Sequence, residues 1–242
     1  MKRYWWIIIL MGGISSCRQE TERMNDYVIQ GIDVSHHQAF VNWDTVYQQA
    51  ITFAFVKATE GATLRDTQYC FNWDEMKRVG LKRGAYHFFR PTTPAVEQAR
   101  NFARWVELEH GDLAPVLDVE VLDGVSKYAL ISRMRTWLAF IEVRYGIKPI
   151  IYTNLRFYNR YLAGHFENYP IWIARYNTRE PRLACGRDWQ FWQYGNRGQI
   201  KGVSGYVDFN VFNGSFKELD LLCLQPPSTV LSEAPPSLAS VK

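Results

Sequence analysis

Four carboxylates stand inside apolar runs, where an ionised acid is costly unless it is paired, hydrogen-bonded or put to use. Asp118 and Glu120 lie in Pro115-Val116-Leu117-Asp118-Val119-Glu120, Asp33 in Gly31-Ile32-Asp33-Val34-Ser35, and Asp208 in Tyr206-Val207-Asp208-Phe209-Asn210. On a strand, residues i and i+2 share a face with Cα atoms about 6.6 Å apart, whereas on a helix they diverge by about 200°. Asp118 and Glu120 are therefore expected on one pocket wall. Two carboxyls that close cannot both ionise freely, so one is pushed toward its protonated form while the other stays charged. Such a division suits cleavage of a glycosidic bond, which needs a proton donor for the leaving oxygen and a carboxylate facing the developing positive charge. The competing reading is a buried pair neutralised by a cation, a role open to Lys57. Asp33 could instead cap an Asx turn ahead of Ser35, and Asp208 could merely accept from backbone N–H groups.

These acids need elements that bring them together. Short apolar or β-branched runs alternate with longer amphipathic stretches, which predicts a parallel β/α architecture. Strands are expected near 28–34, 52–58, 82–89, 114–121, 148–153, 170–175, 189–194 and 204–211, and helices near 43–50, 67–79, 94–109, 126–145 and 155–163. In the helix over 126–145, Ser126 can cap the start, Leu130, Met134, Leu138 and Ile141 fall at helical spacing, and Gly146 ends it. Five strand–helix units followed by three strands predict an α/β fold, an irregular TIM-like barrel of the form (β/α)5(β)3. In such barrels the chemistry sits at the C-terminal strand ends, which is where these runs place the acids.

Residues 1–16 combine Lys2 and Arg3 with an apolar run from Tyr4 to Met11, too short to span a bilayer and consistent with an export signal. Ile14-Ser15-Ser16-Cys17 resembles a bacterial lipobox, so Cys17 is expected to carry a lipid that tethers the protein to a membrane of the cell envelope, at the outer membrane or surface. Residues 17–26 read as a polar tether, 27–224 as the barrel, and 225–242, with Pro226, Pro227, Pro235 and Pro236, as a Pro/Ser-rich disordered tail. The chain has 28 Lys and Arg, and removing Lys2 and Arg3 leaves 26 against 24 acids, too even a balance for a nucleic-acid surface. Cys70, Cys185 and Cys223 allow at most one disulfide and contain no Cys-x-x-Cys zinc spacing. No cofactor is expected. His36, His37 and His87 could suggest a metal-dependent deacetylase, but adjacent residues on a strand point to opposite faces and no ligand spacing appears among them, so no metal site is expected.

Seven motifs in order resemble glycoside hydrolase family 25: Gly31 to Gln38, Phe55 to Gly61, Gly84 to Phe88, Pro115 to Glu120, Ile171 to Tyr176, Phe191 to Tyr194 and Val207 to Asn210. The resemblance implies a lysozyme, an N-acetylmuramidase acting on peptidoglycan glycan strands as a monomer, on an irregular barrel of eight strands and five helices. It implies Glu120 as general acid, Asp118 as partner carboxylate, and Asp33 and Asp208 as further acids of the cleft. Tyr86, Tyr152, Trp172, Tyr176 and Trp192 are similar to the family's sugar-contacting aromatics, although strand aromatics such as Trp172 and Trp192 are more often core. Ala39 stands where the family often has Gly, and His37 where an aromatic is common. Two rival readings remain. A chitinase-like enzyme would want a third acid where Val116 stands, and a non-catalytic wall-binding lipoprotein would have no need of four acids.

Overall fold

The computed structural model describes residues 20–226. The leader, Cys17 and the tail beyond Pro226 lie outside them. Nine strands form one sheet: β1 (Gln30–Val34), β2 (Phe53–Glu60), β3 (Leu64–Arg65), β4 (Lys82–Phe88), β5 (Val116–Asp118), β6 (Ile150–Asn154), β7 (Ile171–Ala174), β8 (Phe191–Gly198) and β9 (Val207–Phe212). Six helices accompany them: α1 (Trp43–Tyr47), α2 (Tyr69–Arg78), α3 (Ala95–Trp105), α4 (Lys127–Tyr145), α5 (Leu155–Phe157), which continues as a π-helical turn over Tyr158–Leu162, and α6 (Phe216–Leu221). The strand order β1-β9-β8-β7-β6-β5-β4-β2-β3, with β1 also paired to β2, closes eight strands into a barrel and leaves β3 as a short hairpin partner of β2.

The expected barrel is present, with four differences. The strand expected over 114–121 is only Val116–Asp118, preceded by Pro115, which has no N–H to give a ladder. Two elements were not anticipated, the two-residue β3 and the six-residue α6, both too short to show a period. The last strand β9 runs antiparallel to both of its neighbours, β1 and β8, rather than continuing the parallel order. That reversal decides where Asp208 sits. Parallel strands bring their C-terminal ends to the barrel mouth, and an antiparallel strand brings its beginning there, so Asp208, the second residue of β9, pairs directly across from Asp33.

Alternation along the strands sorts side chains between two cores. On β2, Ala54, Val56 and Ala58 face the helices, while Phe53 and Phe55 fill the barrel with Val116, Ile150, Trp172 and Phe191. Those rings fit because glycine faces them. A Cβ on Gly31 would lie 2.3 Å from the Phe53 ring, and one on Gly84 2.4 Å from Phe55. Phe55 stacks on Trp172 with centroids 4.4 Å apart, so the lower barrel is an aromatic plug, and polar groups line the mouth above it. Outside, α4 follows its sequence signals: Ser126 Oγ accepts from Ala129 N, Gly146 closes the end in the left-handed conformation, and Leu130, Met134, Trp137, Leu138 and Ile141 are buried.

Residues 20–26, the described part of the expected tether, lie against the barrel. Thr21 N donates to Arg197 O at 3.1 Å, Arg23 reaches the carbonyls of Gln49 and Ala50, and Met24 N meets the Tyr194 hydroxyl. Among the described residues no helix is long and apolar enough to cross a membrane. Cys70 is exposed and Cys223 buried, both as free thiols.

Candidate active site

A cavity of about 250 Å³ opens at the barrel mouth, and all four sequence-predicted acids line it. Asp33 comes from β1, Asp118 from the last position of β5, Glu120 from the chain two residues further on, and Asp208 from β9. Asp118 and Glu120 share the wall as their spacing requires, although the ladder stops between them.

Asp33 is the acid best supplied with donors. Its Oδ2 accepts from Gln193 Nε2 at 2.8 Å and from Asn210 Nδ2 at 2.7 Å. Neither amide can turn round freely. Trp172 Nε1, which can only donate, holds Asn210 Oδ1 at 2.8 Å, and the hydroxyls of Tyr152 and Tyr176 donate to Gln193 Oε1 at 2.8 and 3.0 Å. Burial pushes Asp33 up to about 6, against these donors, which favour the charged form. Asp208 goes further, to about 9, because it is buried, faces the Asp33 charge and gives its own proton to Asp33 in a hydrogen bond. At neutral pH the two acids therefore hold one proton between them.

The second pair is raised by burial as well. Burial, then the charge of Glu120, holds Asp118 well above the usual carboxylate range, with Lys57 pulling the other way. Burial also raises Glu120, opposed by a hydrogen bond from Asn154. The Asn154 carbonyl is already committed to Phe157 N at 2.9 Å at the start of α5, which leaves the amide N–H₂ for Glu120. Lys57 does not neutralise this pair. Its Nζ bonds Glu60 Oε2 at 2.6 Å, and Glu60 is bound in turn by Arg90, so the cation at the rim is already spent on Glu60. Asp118 Oδ1 is buried with no hydrogen-bond partner in the protein.

Of the expected aromatics, Tyr86, Tyr152, Trp172 and Tyr176 line the cavity. Trp192 does not. It is 1% exposed on the outer face of β8, packed against Tyr27 and Trp189, with Nε1 donating to Arg175 O at 2.8 Å. The strand alternation is offset by one residue from the sequence assignment, so Gln193 faces inward in its place. Gln193 and Asn210 were missed, yet Asn210 is i+2 from Asp208, the spacing that paired Asp118 with Glu120. His36 and His37 lie on a 3-10 turn (His36–Gln38), not on a strand, and their rings lie tilted with centroids 4.0 Å apart, with His37 at the cavity and His36 Nδ1 held by Asp66 at 2.6 Å. His87 is buried between Thr59 and Gln98, and burial lowers its pKa to about 4. Among the described residues no group of three or more His, Cys, Asp or Glu is placed to hold a metal ion.

This constellation has relatives. The family model of Glycosyl hydrolases family 25 matches residues 32–203. The protein YegX of Escherichia coli O6:H1 is 46% identical over 198 residues, covering 80% of this chain and 72% of that one. Lysozyme M1 of Streptomyces globisporus is 37% identical over 206 residues, covering 79% and 70%. A family 25 glycosyl hydrolase from Bacillus anthracis superposes with a TM-score of 0.79 at 32% identity, over 85% of this chain and 98% of that one. With a match across most of the barrel and four acids gathered at its mouth, the chain belongs to glycosyl hydrolase family 25 and is a glycoside hydrolase.

Proposed function

We propose that the protein is a peptidoglycan hydrolase that cleaves the β-1,4 bond between N-acetylmuramic acid and N-acetylglucosamine, with Glu120 as general acid and Asp118 as partner carboxylate. The observation that carries this reading is the unsatisfied Asp118 Oδ1 beside a raised Glu120 in one polar cavity. The names of similar proteins, Lysozyme M1 among them, agree with this substrate class.

Together Asp118 and Glu120 retain a proton at pH values where exposed carboxyls have lost theirs. When the substrate's acetamido N–H donates to Asp118 Oδ1, it favours the ionised form of that acid and leaves the proton on Glu120. Glu120 then protonates the departing glycosidic oxygen while the acetamido oxygen, steadied through its N–H, closes on the anomeric carbon. In the second step Glu120 takes a proton from the incoming water. Asp33, held ionised by Gln193 and Asn210, faces the ring on which positive charge develops. Cys17 would place this chemistry at the cell envelope through a lipid, a reading that rests on the sequence of residues 1–17.

Replacing Glu120→Gln should lower release of reducing ends from peptidoglycan by roughly 10²–10⁴-fold with the melting temperature essentially unchanged. Turnover at the wild-type rate would overturn the assignment. Retained binding to peptidoglycan with no products from the wild type would point instead to a glycan-docking protein.

A further inference from the structure

A second cavity of about 790 Å³ adjoins the mouth, and Tyr176 lines both. Its far wall is residues 20–26, which precede the stretch matched by the family model. The character of the two spaces differs. The mouth is lined by acids and aromatics, whereas the second cavity presents charges of both signs, Arg23 and Arg197 on one hand and Glu20, Glu22 and Asp26 on the other.

The two guanidiniums are held without being neutralised. Arg23 donates to the backbone carbonyls of Gln49 and Ala50 at 2.6 and 3.3 Å, and Arg197 donates to the Tyr206 hydroxyl at 2.9 Å and lies over that ring. Among the described residues neither is in an ion pair, so both are fixed in place with charge to spare. Size points the same way. Ligand sites commonly occupy roughly 300–1,000 Å³, so the mouth alone, at about 250 Å³, is small for a substituted disaccharide. The glycan backbone carries no charge and suits aromatic walls. The muramic acid residue at the cleavage point carries, on its lactyl ether, a short peptide with carboxylates and the ammonium group of a diamino acid.

We propose that the charged cavity between residues 20–26 and β8 receives this stem peptide, with Arg23 and Arg197 pairing its carboxylates and the acids beside them its ammonium group. This rests on the muramidase reading and adds a preference for glycan that still bears its peptides. Stripped glycan would reach the same acids with only the mouth to hold it.

The test is calorimetric titration of the full chain with the free stem tetrapeptide, L-alanyl-γ-D-glutamyl-diaminopimelyl-D-alanine, alongside rates on intact and on amidase-stripped peptidoglycan. Saturable peptide binding is expected, weakened about tenfold by Arg197→Gln, the scale of one charge-assisted hydrogen bond, and partly restored in Arg197→Lys. The ratio of the rate on intact to the rate on stripped glycan should fall by a similar factor. Arg23→Gln supplies an independent second variant. Absence of peptide binding, or binding indifferent to both arginines, overturns the proposal while leaving glycan cleavage intact. Peptide binding without release of reducing ends from either substrate upholds the peptide site and overturns the muramidase reading instead.

Discussion

Asp208→Asn should make the protein more stable, and increasingly so as the pH rises. In the unfolded chain Asp208 loses its proton near its ordinary value of 3.8, whereas in the folded protein it keeps it to about 9. A carboxyl raised in this way contributes most below the lower value, and the contribution is lost as the pH climbs toward the upper one. Within that window folding takes up one proton, so stability falls by about 1.4 kcal/mol per pH unit from this group. Asparagine removes the titration and still offers an N–H to Asp33, so the hydrogen bond between the two strands is kept. Between pH 5 and pH 7 the nominal gain of the variant over the wild type is about 3 kcal/mol, reduced by the sharing of charge with Asp33. At roughly 2–4 °C per kcal/mol for a chain of this size, the melting-temperature gap should widen by about 5–10 °C over those two units. Thermal unfolding of both proteins followed by circular dichroism across that range checks it. A gap that stays constant or narrows with rising pH would refute the claim that the Asp33–Asp208 pair retains a proton through this range.

Two further outcomes follow from the geometry. The pH–rate profile should fall on its acid side as Asp33 is protonated near pH 6, and on its alkaline side as Glu120 loses its raised proton. Asp33→Asn should flatten the acid limb specifically, as steady-state rates across pH would show. Gly84→Ala drives a methyl to 2.4 Å from the Phe55 ring, and should cost about 1–3 kcal/mol or more through overpacking, read from denaturant unfolding.

How much of this could be read from the sequence varies by residue. Asp118 and Glu120 were legible because a period of two needs only a strand, and although the ladder stops after Asp118, Val119 N still donates to Tyr152 O at 2.9 Å and Glu120 lines the same cavity. The direction of β9 was not legible, since a six-residue run in which Asp208 and Asn210 alternate with apolar residues reads the same in either orientation and its pairing depends on β1, more than 170 residues away in the chain. Trp192 and Gln193 show the cost of a one-residue phase error: a strand rich in aromatics on both faces gives no polarity to say which set is inside. Gln193 and Asn210 needed no new rule, only the use of the i+2 spacing on amides as well as acids. The claim of residues 20–26 on the barrel had no signal, because backbone bonds such as Thr21 N to Arg197 O are written in no side chain.

The pairing of Asp33 with Asp208 has a consequence for how the protein comes into being. One is carried by the first strand and the other by the last, so during synthesis the early acid waits, without its companion or the amides of Gln193 and Asn210, until nearly the whole chain has left the ribosome. A partly made or C-terminally clipped chain would hold Glu120 and Asp118 but lack the opposite wall. Chemical competence therefore arrives with barrel closure, and not before it.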